Sequence, residues 1–197
     1  MPENLKDEQL LSKAATGDQA AFQQFYERYR DPIFRFSYRL LGSVELAEDV
    51  THDCFINVIR KPGNFDPDLG SLRTYLFGAA RILAFKQLKL SGREGALDDL
   101  DEEPSIPRKE QSPRQVLAEE LEMKVRDAVS ALPALQREAL VLFEYEGLAL
   151  SEIARIVGAD VGAVKARIFR ARQRLKGALL PYLNSGSEIV TLEKALK

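Results

Sequence analysis

The chain of 197 residues has no tryptophan, one cysteine and one histidine. Cys54 has no second cysteine with which to form an internal disulfide, and together with His52 it supplies too few ligands for a Cys/His zinc site. The sequence also lacks a nucleophile–base pairing and a phosphate-binding glycine loop. We therefore expect neither an enzyme nor a protein that holds a metal or a cofactor.

Long apolar runs are missing as well. No stretch approaches the roughly 18 apolar residues of a membrane span, and the amino-terminal MPENLKDEQ is too polar for a signal peptide. We expect a cytoplasmic protein without membrane insertion. The net charge is only −2, which argues against unselective coating of nucleic acid and makes any local excess of positive charge informative.

The largest such excess lies in residues 151–176, SEIARIVGADVGAVKARIFRARQRLK. This segment contains seven lysines and arginines but only two acidic residues. Ser151 is expected to cap a first helix, Gly158 to end it, and Asp160 to open a second one. Two short helices around a glycine-containing turn indicate a helix-turn-helix.

The second of these helices has two faces of opposite character. An apolar stripe at helical spacing is predicted to pack inward: Val161, Val164, Ile168, Ala171 and Leu175. The outward face and its flanks, with Arg155 of the first helix, are predicted to meet DNA phosphates and base edges: Arg155, Lys165, Ala166, Arg167, Phe169, Arg170, Arg172, Gln173 and Arg174. A merely solvated arginine-rich surface is the alternative.

The first half of the chain also reads as helices. An aromatic stripe begins after Asp18, and Pro32 is expected to interrupt it before a further helix that Gly42 ends. Ser43 should cap the next helix, VELAEDVTHDCFINVIR, which has one apolar and one acidic face. That acidic face is either simply solvated or a docking surface for a basic partner.

The helix predicted after Ser71 carries cations and aromatic rings in alternation at every fourth residue. They are Arg73, Phe77, Arg81, Phe85 and Lys89. Cations can follow a nucleic-acid backbone while rings accept unstacked bases, at about 1–3 kcal/mol each. The pattern favours unpaired DNA as a ligand, with the alternative that both phenylalanines fill a helix interface.

Between the two halves, residues 92–112 lose helical periodicity and are acidic and proline-containing, which is typical of a flexible linker. Helices predicted from Pro113 to about Tyr145 precede the helix-turn-helix. The fold class expected is all-α, with two small helical domains at 1–91 and 113–183, a linker at 92–112 and a tail at 184–197.

This arrangement resembles the extracytoplasmic-function (ECF) group of sigma-70-family transcription initiation factors. The resemblance is carried by YERYRDPIFRFSYRLLG, AEDVTHDCF, FDPDLGSLRTYLFGAAR and LPALQREALVLFEYEGLALSEIARIVGADVGAVKARIFRARQRLK. It implies that the first domain is sigma region 2, that the second is region 4, and that the protein directs core RNA polymerase to promoters without chemistry of its own.

The resemblance also implies roles for residues. The acidic residues and histidine Glu48, Asp49, His52 and Asp53 would dock on core polymerase. The Asn64–Lys89 segment, with Phe65 in its loop, would open and read the −10 element, and the Lys165–Arg170 face would read the −35 element. Free protein is expected to be a monomer, with an anti-sigma factor as a further partner.

The chain departs from the usual family pattern at several of these positions. It has His52 in place of Gln, Tyr75 in place of Trp, and Ile82 and Lys86 in place of Asn and Asp. In region 4 the usual Thr and Ser are replaced by Ala163 and Ala166. The −10 half is therefore atypical.

Two other functions remain open from sequence alone. A stand-alone helix-turn-helix regulator would account for residues 151–176 but would leave the acidic helix without a purpose. A sigma-like protein that only occupies polymerase or an anti-sigma partner, without opening promoters, would agree with Ile82 and Lys86.

Overall fold

The computed structural model describes residues 6–91 and 115–183, and every regular element within these ranges is helical. The first domain comprises α1 (Asp7–Ala15), α2 (Gln19–Leu41), α3 (Val44–Arg60), a 3₁₀ turn (Pro62–Asn64) and α4 (Leu72–Leu90). The second comprises α5 (Gln115–Ser130), α6 (Ala134–Leu140) with a π-helical turn (Val141–Tyr145), α7 (Leu150–Val157) and α8 (Val161–Leu183). The all-α prediction is confirmed.

Short polar side chains begin the helices where the sequence predicted them. Asp18 accepts a hydrogen bond from the Ala21 amide at 3.0 Å, and Asp160 accepts one from the Ala163 amide at 2.8 Å. Ser43 and Ser71 cap α3 and α4 in the same way. Each cap satisfies an amide that has no partner within its helix.

Two predicted boundaries were wrong. Helix α2 continues through Pro32, because the apolar face on both sides of the proline packs into one core and outweighs the lost backbone hydrogen bond. Ser151 does not cap α7, which begins at Leu150. The Glu152 carboxylate accepts the Ala149 amide at 2.9 Å instead.

The core of the first domain is built around aromatic side chains from three helices. Phe36 of α2 and Phe77 of α4 meet edge to face at a centroid distance of 5.4 Å, and both are fully buried. Phe25 of α2 and Phe55 of α3 pack similarly at 5.1 Å. Such pairs contribute about 0.5–1.5 kcal/mol beyond the apolar area that they bury.

The apolar stripe of α8 that the sequence predicted packs inward and holds the helix-turn-helix together. Val164, Ile168, Ala171 and Leu175 of α8 are buried, whereas Val161, at the first turn, is exposed and does not join them. Gly158 adopts φ +67° at the end of α7, a conformation that suits glycine, and so provides the turn between the two helices.

The two domains pack against each other, and their buried apolar residues form one contiguous cluster. Arg137 of α6 is buried and donates to the Leu40 carbonyl near the end of α2 at 2.7 Å. The predicted linker at 92–112, the helix start at Pro113 and the tail at 184–197 lie outside the described residues. In the part of the chain that is described, no helix is long and apolar enough to cross a membrane.

Candidate nucleic-acid interface

The outer face of α8 is open to solvent, as predicted. Phe169 is 63% exposed in the middle of this face, although it is a large apolar side chain. Lys165, Arg170 and Gln173 are also exposed around it, and Ala166 is half-buried. A helix with cations, an amide and an aromatic ring on its open side has the groups that bind phosphates and base edges.

The flanking arginines are not equivalent. Arg172 is exposed and pairs with Glu144, to which its Nε donates at 2.9 Å. Arg155 of α7 is exposed but reaches the first domain, where its Nη1 donates to the Leu69 carbonyl. Arg174 is half-buried. The exposed part of α8 that could enter a DNA groove (the groove face) is therefore centred on Lys165–Gln173. It does not include all of the arginines predicted to meet DNA.

Arg167 does not lie on an open flank, which corrects the prediction from helical spacing. Its side chain is mostly buried, and its Nη1 lies 3.5 Å from Glu138 Oε1 on α6. The reason is that a charge buried at Glu138 must be compensated by an opposite charge nearby. In this conformation Arg167 forms an ion pair within the second domain, and its side chain does not face a DNA groove.

The acidic face of α3 is exposed along its length. Glu48, Asp49, His52 and Asp53 all lie on the solvent side, while Cys54 on the opposite side is buried. The structure brings these four side chains together on one surface, so they can act jointly on a basic partner.

The cation–aromatic ridge of α4 is present but is only partly open. The Arg81 guanidinium lies 4.6 Å from the centre of the Phe85 ring, and Arg73 lies 5.4 Å from that of Phe77. Both arginines are half-buried against the second domain, whereas Lys89 is exposed. Arg73 and Arg81 of the ridge therefore face the second domain, whereas Lys89 at its end faces solvent.

Phe77 belongs to the core, and its predicted role in base stacking does not agree with this placement. The ring is 0% exposed and contacts Phe36. The fourth-residue spacing that suggested a ridge turns slowly around the helix, so Phe77 falls on its inner side. Phe85 is half-buried and remains at the edge of the ridge.

The loop before α4 and the outer side of α4 complete the segment predicted to meet the −10 element. Phe65 packs on Tyr75 at a centroid distance of 5.6 Å, and this contact fixes the loop to α4. Ile82, one of the atypical residues, is 68% exposed, and Lys86 is exposed one turn further on. These two side chains therefore present an apolar and a cationic group to solvent.

Sequence reasoning missed two buried carboxylates at the junction of the domains. Glu138 is 0% exposed and Glu146 5%. Burial raises the pKa of the Glu138 carboxyl, and the arginines Arg81 and Arg167 oppose that rise. The residues next to them in sequence do not indicate that they are buried. Their burial depends on pairing with arginines of helices that are distant in sequence.

Comparison with known proteins identifies both domains. Residues 25–94 match sigma-70 region 2, and residues 122–175 match sigma-70 region 4. The chain is 32% identical to the RNA polymerase sigma-H factor of Pseudomonas aeruginosa over 186 residues, covering 90% of this chain and 96% of that protein. It is 31% identical to the ECF RNA polymerase sigma-E factor of Escherichia coli K12 over 191 residues, covering 93% and 99%.

Solved structures agree with this result. The fold resembles CnrH, solved in complex with the cytosolic domain of CnrY, with a TM-score of 0.65 and 26% identity over 90% of this chain and 98% of that one. It also resembles the sigma factor RpoE of Bartonella quintana, solved with the anti-sigma factor NepR, with a TM-score of 0.61 and 26% identity over 80% and 96%. The chain therefore belongs to the sigma-70 family of RNA polymerase sigma factors, in its extracytoplasmic-function group.

Proposed function

We propose that this sigma factor binds core RNA polymerase through α3 and reads promoters with α4 and α8. The chain acts by binding, and polymerase carries out the chemistry. The observation that carries this assignment is that both sigma regions are present, and each has a surface suited to its partner. A stand-alone helix-turn-helix regulator would have no use for region 2. We propose that the protein acts in the cytoplasm, where polymerase transcribes DNA.

The polymerase-docking surface is assigned to Glu48, Asp49, His52 and Asp53. Support comes from their common exposed face on α3. Carboxylates at a protein interface steer a basic partner and set the register of docking. We assign residues 1–91 to this region 2 domain, 92–112 to the linker, 113–183 to region 4 and 184–197 to a tail.

The −10 surface is assigned to the loop at Phe65 and to the ridge of α4. Arg73, Arg81 and Lys89 would hold the DNA backbone, and Phe85 would accept an unstacked base. Phe77 is left out of this set because the ring lies in the core. The exposed Ile82 and Lys86 would contact the same strand in this atypical member.

The −35 surface is assigned to the open side of α8, with Arg155, Arg172 and Arg174 at its edges. Lys165, Ala166, Phe169, Arg170 and Gln173 form its centre. Support comes from exposure and from the order of the two helices, since the second helix of such a motif enters the major groove.

Replacing Arg170 by alanine should relax discrimination at the −35 element. Loss of one side-chain contact to a base costs about 1–3 kcal/mol, which is roughly a fivefold to 150-fold loss of affinity for the specific sequence. Competition binding of the polymerase complex to matched and mutated −35 sequences measures it. Affinity for core polymerase should stay unchanged.

The matched control is Arg30→Ala, which removes the same charge from an exposed position on α2. It should leave −35 discrimination intact. If Arg170→Ala weakened matched and random DNA equally, Arg170 would be a phosphate contact and its assignment to base reading would be wrong.

An anti-sigma factor is proposed as a further partner. Both structural neighbours described above were solved as complexes, one with the anti-sigma factor NepR and one with CnrY. A partner of this type would cover the surfaces that meet polymerase.

A further inference from the structure

The π-helical turn that follows α6 places two side chains against the edge of α8. The Glu146 amide donates to the Val141 carbonyl at 3.1 Å, so this turn holds one residue more than an α-helical turn. Phe143 and Glu144 lie within it, and both are half-buried. Single π turns of this kind are often found at functional sites. The contacts of Phe143 and Glu144 with α8 lie within the second domain.

Both of these side chains contact Arg172. Its Nε atom donates to Glu144 Oε1 at 2.9 Å, and its Nη2 atom donates to the same oxygen. The guanidinium also lies over the Phe143 ring, 5.6 Å from the ring centre. The Glu144 side chain is only 12% exposed, whereas that of Arg172 is 44% exposed. A carboxylate that is fixed in the domain therefore holds an arginine that a ligand can still reach.

The pairing with Glu144 uses one edge of the Arg172 guanidinium. An arginine has five N–H groups in a planar fork, and Glu144 accepts from those of Nε and Nη2 on one side of that fork. The other edge is formed by Nη1 and by the second hydrogen of Nη2. A phosphate can accept two parallel hydrogen bonds from such an edge. Arg172 can therefore bind a phosphate without leaving Glu144.

Arg172 belongs to a line of exposed cations beside the groove face. Lys165, Arg172 and Lys176 are seven and four residues apart, so on an α-helix they fall within about 40° of one another. Phe169 and Arg170 lie to one side of this line, at the centre of the groove face. Cations beside a helix in the major groove meet the phosphates that border the groove.

We propose that Glu144 is a positioning residue for DNA binding, because it holds Arg172 in the orientation that binds a phosphate beside the −35 element. The ligand of Arg172 is the DNA backbone and not a base edge. This inference rests on the proposed function, since it takes α8 as the helix that enters the groove. It gives a role in DNA binding to an acidic residue, which charge by itself would place away from DNA.

The advantage of a carboxylate at this position comes from the flexibility of arginine. A free arginine side chain loses rotamer freedom when it binds a ligand, whereas an arginine that is already held loses less. Repulsion between Glu144 and the phosphate opposes this gain, but the Arg172 guanidinium lies between the two negative groups. A pair with one exposed partner adds little to folding stability. Positioning of Arg172 therefore explains the pair better than stabilisation of the fold.

The test is a double-mutant cycle in the complex of the full chain with core RNA polymerase. Binding is measured at several salt concentrations to a promoter duplex and to the same duplex with its −35 element replaced. The variants are Glu144→Ala, Arg172→Ala and the two combined. Glu144→Gln keeps an oxygen that can accept from Arg172, and it is the second variant should alanine disturb folding. Thermal unfolding checks that each variant is folded.

Arg172→Ala should weaken binding to both duplexes by the same factor. It should also reduce the slope of log affinity against log salt by about 0.9, the change expected for the loss of one phosphate contact. Glu144→Ala should weaken binding about twofold to tenfold when Arg172 is present, because one side chain must then be ordered on binding. In the Arg172→Ala background it should cause no loss. Glu144→Gln should bind more tightly than Glu144→Ala.

Glu122→Ala is the matched control. Glu122 pairs with Arg126 on α5 at 3.1 Å, and both side chains are exposed. The variant removes the same charge from the same domain and breaks an ion pair, but it leaves the edge of α8 unchanged. It should bind both duplexes as the parent does.

Three results would overturn the inference. A gain of affinity in Glu144→Ala that requires Arg172 would mean that Glu144 holds Arg172 away from DNA. Equal effects of Glu144→Ala with and without Arg172 would mean that the pair plays no part in DNA binding. A loss in Arg172→Ala that is confined to the duplex with the intact −35 element would make Arg172 a base contact.

The proposed function is tested separately in the same assay. It stands, whatever the outcome at Glu144, if Arg170→Ala relaxes discrimination between the two duplexes. If neither Arg170→Ala nor replacement of the −35 element changed binding, α8 would not read the −35 element, and the inference would fail with the proposed function.

Discussion

Phe77→Ala should lower the free energy of unfolding of the first domain by about 3–5 kcal/mol. The ring is fully buried against Phe36, and truncation leaves a cavity between α2 and α4 that a helical domain of this size can fill only in part. Urea unfolding followed by circular dichroism measures the change. A loss of this size is a large part of the 5–15 kcal/mol that keeps a typical domain folded.

The matched control for this substitution is Phe169→Ala. That ring is 63% exposed on α8, so its removal should change stability by no more than about 0.5 kcal/mol. Phe77→Leu separates packing from base stacking, because leucine fills much of the space without an aromatic face. Promoter opening should persist in the leucine variant. If opening were lost while the domain stayed folded, Phe77 would have to leave the core and stack on a base.

Asp49→Lys should weaken binding to core RNA polymerase by roughly a hundredfold. Placing a like charge against a basic surface costs several kcal/mol. Asp49 is exposed on the outer face of α3, so its replacement should leave the fold intact. Titration of labelled core polymerase with the variant measures the change.

Asp31→Lys serves as the control for this substitution. It reverses the same charge at an exposed position on α2, outside the acidic face of α3, and should bind polymerase as the parent does. Equal loss in both variants would indicate a general charge effect. Unchanged binding by Asp49→Lys would remove α3 from the docking surface.

Much of the fold could be predicted from local sequence signals. Asp18, Ser43 and Ser71 cap helices within one turn of themselves, so their neighbours in sequence are enough to identify them. The stripe of α8 from Val164 to Leu175 follows from helical periodicity alone. The prediction at Pro32 was wrong because the hydrogen bond lost at a proline indicates a break in the helix. Packing of both halves of α2 into one core keeps the helix continuous.

The candidate site was less predictable, because its geometry depends on contacts between distant helices. The ridge of α4 could be read from spacing, but the packing of Arg73 and Arg81 against the second domain could not. Glu138 and Arg81 are 57 residues apart, and the sequence around neither residue indicates that the two side chains pair. For the same reason Arg167 looked like a flank of the groove face, although it is the partner of a buried glutamate.

The most direct test of the central claim is transcription by purified core RNA polymerase on fragments of genomic DNA, with and without the full chain. The account predicts tight binding to the core enzyme and new, discrete start sites that appear only when the chain is present. These start sites should share a −35 sequence whose use Arg170→Ala relaxes. Binding to polymerase without any new start site, or no binding at all, would contradict the account.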